Sequence, residues 1–98
     1  MTTNYQKGYQ KEIEVVNYFR KQGYQAYRSA GSHTPCDVTV HFPDSILVLQ
    51  LKTTKTKYVK YEKEIQELRD FKTPARKEFW IWQKFEKRGK KWKKIVIY

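Results

Sequence analysis

Four residues of this chain have the types and spacing for work on a phosphodiester: Glu12, Asp37, Gln50 and Lys52. Asp37 opens a short apolar run, Asp37-Val38-Thr39-Val40-His41-Phe42, and Gln50-Leu51-Lys52 closes a greasier one that begins at Ser45. Side chains alternate along a strand, so Gln50 and Lys52 point to one face. A hairpin through Pro43-Asp44 would bring Asp37 close to both. An acid, an oxygen ligand and a lysine converging at the end of a buried hairpin is the chemistry of metal-dependent phosphodiester cleavage. A hard divalent cation takes oxygen ligands, and a lysine beside it orients water or neutralises developing charge.

Glu12 is the second clue. At about 100° per residue, it falls inside the helical arc of Tyr5, Tyr9, Ile13, Val16 and Phe19, whereas Glu14 falls on the polar side. A carboxylate on a core-facing stripe needs a partner, a metal or a displaced pKa. Two readings stand side by side: a ligand to the same metal, and a structural ion pair with an arginine such as Arg28.

The elements that must position these residues can be read in outline. Tyr5 to about Gln22 is a helix stopped by Gly23. Gln25–Ala30, Asp37–Phe42 and Ser45–Lys52 are strands, followed by a second amphipathic helix over Val59–Phe71 with Ile65, Leu68 and Phe71 along one side. Glu78–Phe85 and Trp92–Tyr98 are strands joined by a turn at Lys87–Lys90. The order is αβββαββ, an α/β fold with a central mixed β-sheet flanked by helices. Residues 1–98 are expected to form a single domain.

Charge identifies the partner. The net charge is +11, and it is unevenly placed: residues 1–50 carry five Lys/Arg against four Asp/Glu, and residues 51–98 carry sixteen against six. The second half is the footprint for a polyanion. No apolar run is long enough to span a bilayer and no signal peptide is visible, so no membrane partner is expected. The aromatic content of 16% argues against a disordered basic tail. The lone Cys36 excludes an internal disulfide and fits a reducing, cytoplasmic setting.

With Glu12, Asp37 and Gln50-Leu51-Lys52 in place, the chain resembles the PD-(D/E)XK nuclease superfamily and, more narrowly, the archaeal-type Holliday junction resolvases. Lys7-Gly8-Tyr9-Gln10-Lys11-Glu12 is similar to that family's opening Lys-Gly-x-x-x-Glu. The stretch Gly23 to Ser32 resembles its Gly-aromatic strand and Arg-x-x-x-Ser loop, with Ser32 at the serine associated with catalysis. Asp37 and Gln50-Leu51-Lys52 match the metal-binding aspartate and the Glu-x-Lys element, and Tyr58-Val59-Lys60-Tyr61-Glu62 resembles the start of the second helix. The resemblance runs over roughly residues 7–72. It departs at position 50, which is Gln, and in a shorter loop from Ser32 to Asp37.

The resemblance implies a restriction-endonuclease-like fold and a Mg²⁺-dependent endonuclease of branched DNA. Mn²⁺ would be able to substitute, and no small-molecule cofactor is needed. The catalytic set would be Glu12, Ser32, Asp37, Gln50 and Lys52. Metal ligands would come from Glu12, Asp37, Gln50 and the backbone carbonyl of Leu51. Arg28, Ser32, His33, Lys55, Lys57 and Lys60 would contact the nucleic acid. Symmetric cutting of a two-fold junction needs two equivalent sites, so a homodimer is expected. The alternatives are another nuclease of the superfamily, acting on flaps, nicks or duplexes, and a nucleic-acid-binding protein whose site is impaired by Gln50. Cys36 reads as a small buried side chain beside Asp37. His41 reads as packing at a surface or core position. Trp80, Trp82, Trp92, Val96 and Tyr98 read by default as core, with a subunit interface as the alternative for a strand apolar on both faces and base stacking ranked behind it.

Overall fold

The near-continuous apolar runs of β3 and β4 decide the architecture. Every residue from Leu47 to Leu51 and from Phe79 to Ile81 is buried, the pattern of strands covered on both faces. The computed structural model describes residues 4–29, 34–55, 60–84 and 92–98, with side chains from Tyr9 onward. Its elements are α1 (Asn4–Lys21), β1 (Gln25–Arg28), β2 (Val38–Phe42), β3 (Ser45–Thr54), α2 (Glu62–Asp70), β4 (Arg76–Gln83) and β5 (Trp92–Ile97). The expected αβββαββ order holds. The five strands form one mixed sheet in the order β1-β2-β3-β4-β5. β3 and β4 are parallel, joined by the α2 crossover, and all other neighbours are antiparallel.

Each face of the sheet carries its own core. On the α1 side Val15, Val16 and Phe19 pack on Ala26, Val38, Val40, Leu47, Leu49, Leu51 and Trp80. On the α2 side Leu68 packs with Cys36, Val48, Phe79, Ile81 and Ile97, and Ile65 and Phe71 lean on the same cluster. Odd residues of β3 therefore face α1 and even ones face α2, which assigns Gln50 and Lys52 to the α2 side.

Several element ends differ from the sequence expectation. The strand expected from Asp37 begins at Val38: Asp37 N–H still bonds Leu49 C=O, but the next N–H along β3, that of Leu51, is taken by the Asp37 side chain rather than by a backbone carbonyl. β1 stops at Arg28, β4 begins two residues early at Arg76, and α2 begins at Glu62. Ala30, Val59, Phe85 and the Lys87–Lys90 turn lie outside the described residues. Val96 and Tyr98 were expected in the core but are 52% and 96% exposed. α1 lies over β1 to β3, so the α1-side face of β5 has no helix above it.

Gly23 closes α1 with φ +93°. Tyr24 N–H donates to Phe19 C=O at 3.2 Å and Gly23 N–H to Arg20 C=O at 3.0 Å, the paired bonds of a Schellman end. Tyr24 and Phe19 both pack edge-on against Phe42, so the turn also fixes α1 to the hairpin tip. An added Cβ at Gly23 meets nothing within 4 Å, so its cost is conformational alone. Gly23→Ala should lower the unfolding free energy by about 1–2 kcal/mol, read from the urea midpoint at unchanged slope.

Candidate active site

The site is assembled where β2 runs out alongside β3. Asp37 N–H donates to Leu49 C=O at 2.7 Å, and Ser29 N–H donates to Asp37 C=O at 2.9 Å. Backbone bonds thus pin Asp37 to both neighbouring strands. One step further along β3, Leu51 N–H would lack a ladder partner, and it donates instead to Asp37 Oδ2 at 2.8 Å. By the two-residue repeat of a strand, the carbonyl of Leu51 points to the same side as that of Leu49, toward Asp37.

Gln50 stands beside Asp37 on the α2 side. It is only 7% exposed, and among the described residues its Oε1 has no hydrogen-bond partner. Leaving such an oxygen buried and unsatisfied costs roughly 1–3 kcal/mol. Its neighbour across the ladder is Phe79, whose ring offers no donor. Tyr61 packs on Phe79 at 5.4 Å between centroids, and its hydroxyl donates to Thr53 C=O at 3.2 Å. The start of α2 therefore braces the end of β3, a role the sequence reading missed, although Tyr61 lies within one of the motifs quoted above.

Glu12 makes the ion pair anticipated for it. Arg28 Nε donates to Glu12 Oε1 at 2.9 Å, and the Arg28 guanidinium also lies 4.1 Å from the centre of the Tyr9 ring. The ion pair explains why a carboxylate sits on the apolar arc. Glu12 also lies near enough to Asp37 for its charge to act there. Burial is the main cause pushing the Asp37 carboxyl up from its ordinary value. The Leu51 N–H opposes this, Glu12 reinforces it, and Lys52 and Arg28 pull it back down. Asp37 thus senses Glu12, Lys52 and Arg28 at once, which places all four around the end of the hairpin.

Among the described residues no three His, Cys, Asp or Glu side chains gather as a metal cluster. The donor set is instead two carboxylates, an amide oxygen and a carbonyl. All are hard oxygens, and one is a buried orphan, so the set fits a hard divalent cation. Cys36 is buried as expected, and burial beside Asp37 pushes its thiol up to about 11, which disfavours the thiolate at neutral pH. His41 lies on the Asp37 side of β2, 3.0 Å from the Tyr27 hydroxyl, four residues from the site. Lys55 and Lys60 are exposed near the end of β3. Ser32, His33 and Lys57 lie outside the described residues.

A family profile described as archaeal Holliday junction resolvase (Hjc) matches residues 3–97. Among solved structures, the chain is similar to Archaeoglobus fulgidus Hjc, described as a Holliday junction resolvase from an archaeal hyperthermophile. The TM-score is 0.68 at 22% identity, covering 93% of this chain and 73% of that one. At that identity the likeness is one of fold. A search of curated protein sequences found no match.

The buried Asp37 makes a prediction about stability. A carboxyl whose pKa is raised by folding binds its proton more tightly in the folded chain, so stability falls as pH rises upward from 3.8 through the folded value. Asp37→Asn keeps an oxygen for Leu51 N–H and removes the buried charge. In EDTA it should raise the thermal midpoint at pH 7, and the gain should vanish as the pH falls below 3.8. Scanning calorimetry of both chains across this range is the check, and a midpoint lowered at pH 7 would contradict it.

Proposed function

The chain belongs to the archaeal Holliday junction resolvase family, and from that membership we propose which of its residues cut DNA and how. It is a structure-selective junction endonuclease of a family that uses a divalent metal. We assign the cutting centre to Asp37, Gln50, Leu51, Lys52 and Glu12, within one nuclease domain spanning the chain. The observation that carries the assignment is Gln50 Oε1, buried and, among the described residues, unpaired, one register step along β3 from the Leu49–Val38 pair that follows Asp37.

In this reading the metal is Mg²⁺, held by Asp37, the Gln50 amide oxygen, the Leu51 carbonyl and Glu12. When bound, it offsets the charge that builds on the phosphoryl oxygens. Asp37 is held in place by backbone on three counts, so its carboxylate arrives already oriented. Lys52, two residues beyond Gln50 on the same face, orients the attacking water and neutralises developing charge. Arg28 keeps Glu12 aimed while Tyr9 holds the guanidinium from behind. Ser32 holds the scissile phosphate, and Arg28, His33, Lys55, Lys57 and Lys60 contact the DNA backbone without reading bases. Two copies are needed for paired cuts in a two-fold junction, so the acting species is a homodimer. Action on DNA also sets its place of work inside the cell. Among the described residues no helix is long and apolar enough to cross a membrane.

Position 50 carries an amide where the family element has a carboxylate. The site therefore has one negative charge fewer and draws more of its metal affinity from the DNA phosphate. Gln50→Glu should lower the Mg²⁺ concentration for half-maximal cleavage, and an unchanged or higher requirement would refute this charge argument. The broader test is incision of an end-labelled immobile four-way junction beside linear duplex, in Mg²⁺ and in EDTA. Paired symmetric cuts should appear only on the junction and only with Mg²⁺. Asp37→Asn should reduce them by more than the roughly 10–100-fold typical of outer-shell metal partners. Equal cutting of duplex would make it a general endonuclease, and tight binding without cutting would favour a site impaired by Gln50.

A further inference from the structure

A groove of about 630 Å³ lies on the other face of the sheet from Gln50, between α1 and the β4–β5 pair. It is lined by Glu14, Val15 and Tyr18 from α1, Trp80 and Trp82 from β4, and Trp92 and Lys94 from β5. Trp82 and Trp92 meet edge-on at 5.0 Å, and Trp92 leans on Trp80 at 5.7 Å. Two ammonium groups sit on these rings: Lys11 Nζ is 3.8 Å from the centre of Trp82, and Lys94 Nζ is 4.3 Å from that of Trp80. The acids at the rim are engaged, Glu14 with Lys11 at 2.9 Å and Glu78 with the Trp80 indole N–H at 2.9 Å. Among the described residues Lys94 has no acidic partner.

Flat aromatic faces interleaved with lysines are how proteins hold single-stranded nucleic acid: bases stack and ammonium groups take the phosphates. The groove volume is within the range of small-ligand sites. Its position links it to the cutting centre. Lys11 on Trp82 is the neighbour of Glu12 in α1. Lys52 pairs with Ile81 and Thr53 with Trp82 across β3 and β4. Lys52 and Trp82 thus stand at the same end of the sheet, one on each face. A second copy of the chain is the poorer occupant, because a two-fold contact centred on this groove would bring the lysines on its rings, Lys11 and Lys94, toward those of the other copy.

We propose that this groove takes unpaired nucleotides of the DNA strand leaving the cutting centre. A base stacks on Trp82 and Trp92 while Lys11 and Lys94 move from the rings to the flanking phosphates. The inference rests on the junction-nuclease reading above and names the part of the substrate that reaches the second face.

The test is binding without cutting. The whole chain is titrated in EDTA with a labelled ten-nucleotide thymidine oligomer and with a ten-base-pair duplex, following anisotropy and tryptophan fluorescence. The single strand should quench the tryptophans more than the duplex does. Trp82→Leu should weaken the oligomer by about tenfold, the scale of one lost stacking contact. Trp82→Phe should hold it within about threefold, and Lys11→Gln with Lys94→Gln should flatten the salt dependence. Unchanged oligomer affinity in folded Trp82→Leu overturns the proposal. Unchanged affinity with loss of a dimer by sedimentation also overturns it and assigns the groove to a second copy. If Trp82→Leu does not fold, the wild-type quench and the lysine pair decide. Cutting failure with this binding intact overturns the proposed function alone, and cutting without it overturns this proposal alone.

Discussion

β2 begins at Val38, and the N–H of Leu51 that it leaves uncovered is taken by the carboxylate of Asp37. This bond depends on the β2–β3 register, which pairs Val38 with Leu49 and Phe42 with Ser45. A slip of one residue would turn Val38 and Val40 out of the α1 core and send Asp37 to the wrong face. Packing therefore enforces the register more strongly than the site does. Two fully buried valines and Leu49 hold a polar constellation that would not assemble unaided.

The site concentrates unfavourable features in one place. A carboxylate is buried, a second carboxylate adds to its charge, and an amide oxygen beside a phenyl ring has no partner among the described residues. Each is a cost to the folded chain by itself. Lys52 and Arg28 offset part of it from the edges, and a cation would offset more. Chains keep such arrangements where function requires them and draw the stability from elsewhere. Here it comes from two apolar clusters on opposite faces of the sheet, both of which draw on β3 and β4.

The two helices divide the labour unequally. α1 covers β1 to β3 and delivers Glu12 to one end of the hairpin and Lys11 to Trp82. α2 covers β4 and β5 on the opposite face, and Tyr61 just ahead of it steadies the end of β3. What neither helix covers is the α1-side face of β5, where Val96 comes to the surface beside the half-buried Trp82 and Trp92. That bare face gives a small nuclease a second working surface.

Much of the fold was legible in residue order, because its signals are local. Gly23 marks a helix end, Pro43-Asp44 marks a tight hairpin, and strand parity alone put Gln50 and Lys52 on one face. The helical arc exposed Glu12 as out of place without saying why. The ordered set of Glu12, Asp37 and Gln50-Leu51-Lys52 pointed to the family. Tertiary structure decided what local patterns cannot carry. Arg28 reaches Glu12 only because β1 ends beside α1, so ion pair and site acid are compatible where periodicity left two readings. Val96 and Tyr98 have core-like types and parity but lie exposed, since sequence spacing cannot show which sheet face a helix will leave bare. Alternation is written into the chain by the geometry of one strand. Coverage, burial and the charge felt at Asp37 are sums over elements far apart in sequence, and they exist only once those elements have packed.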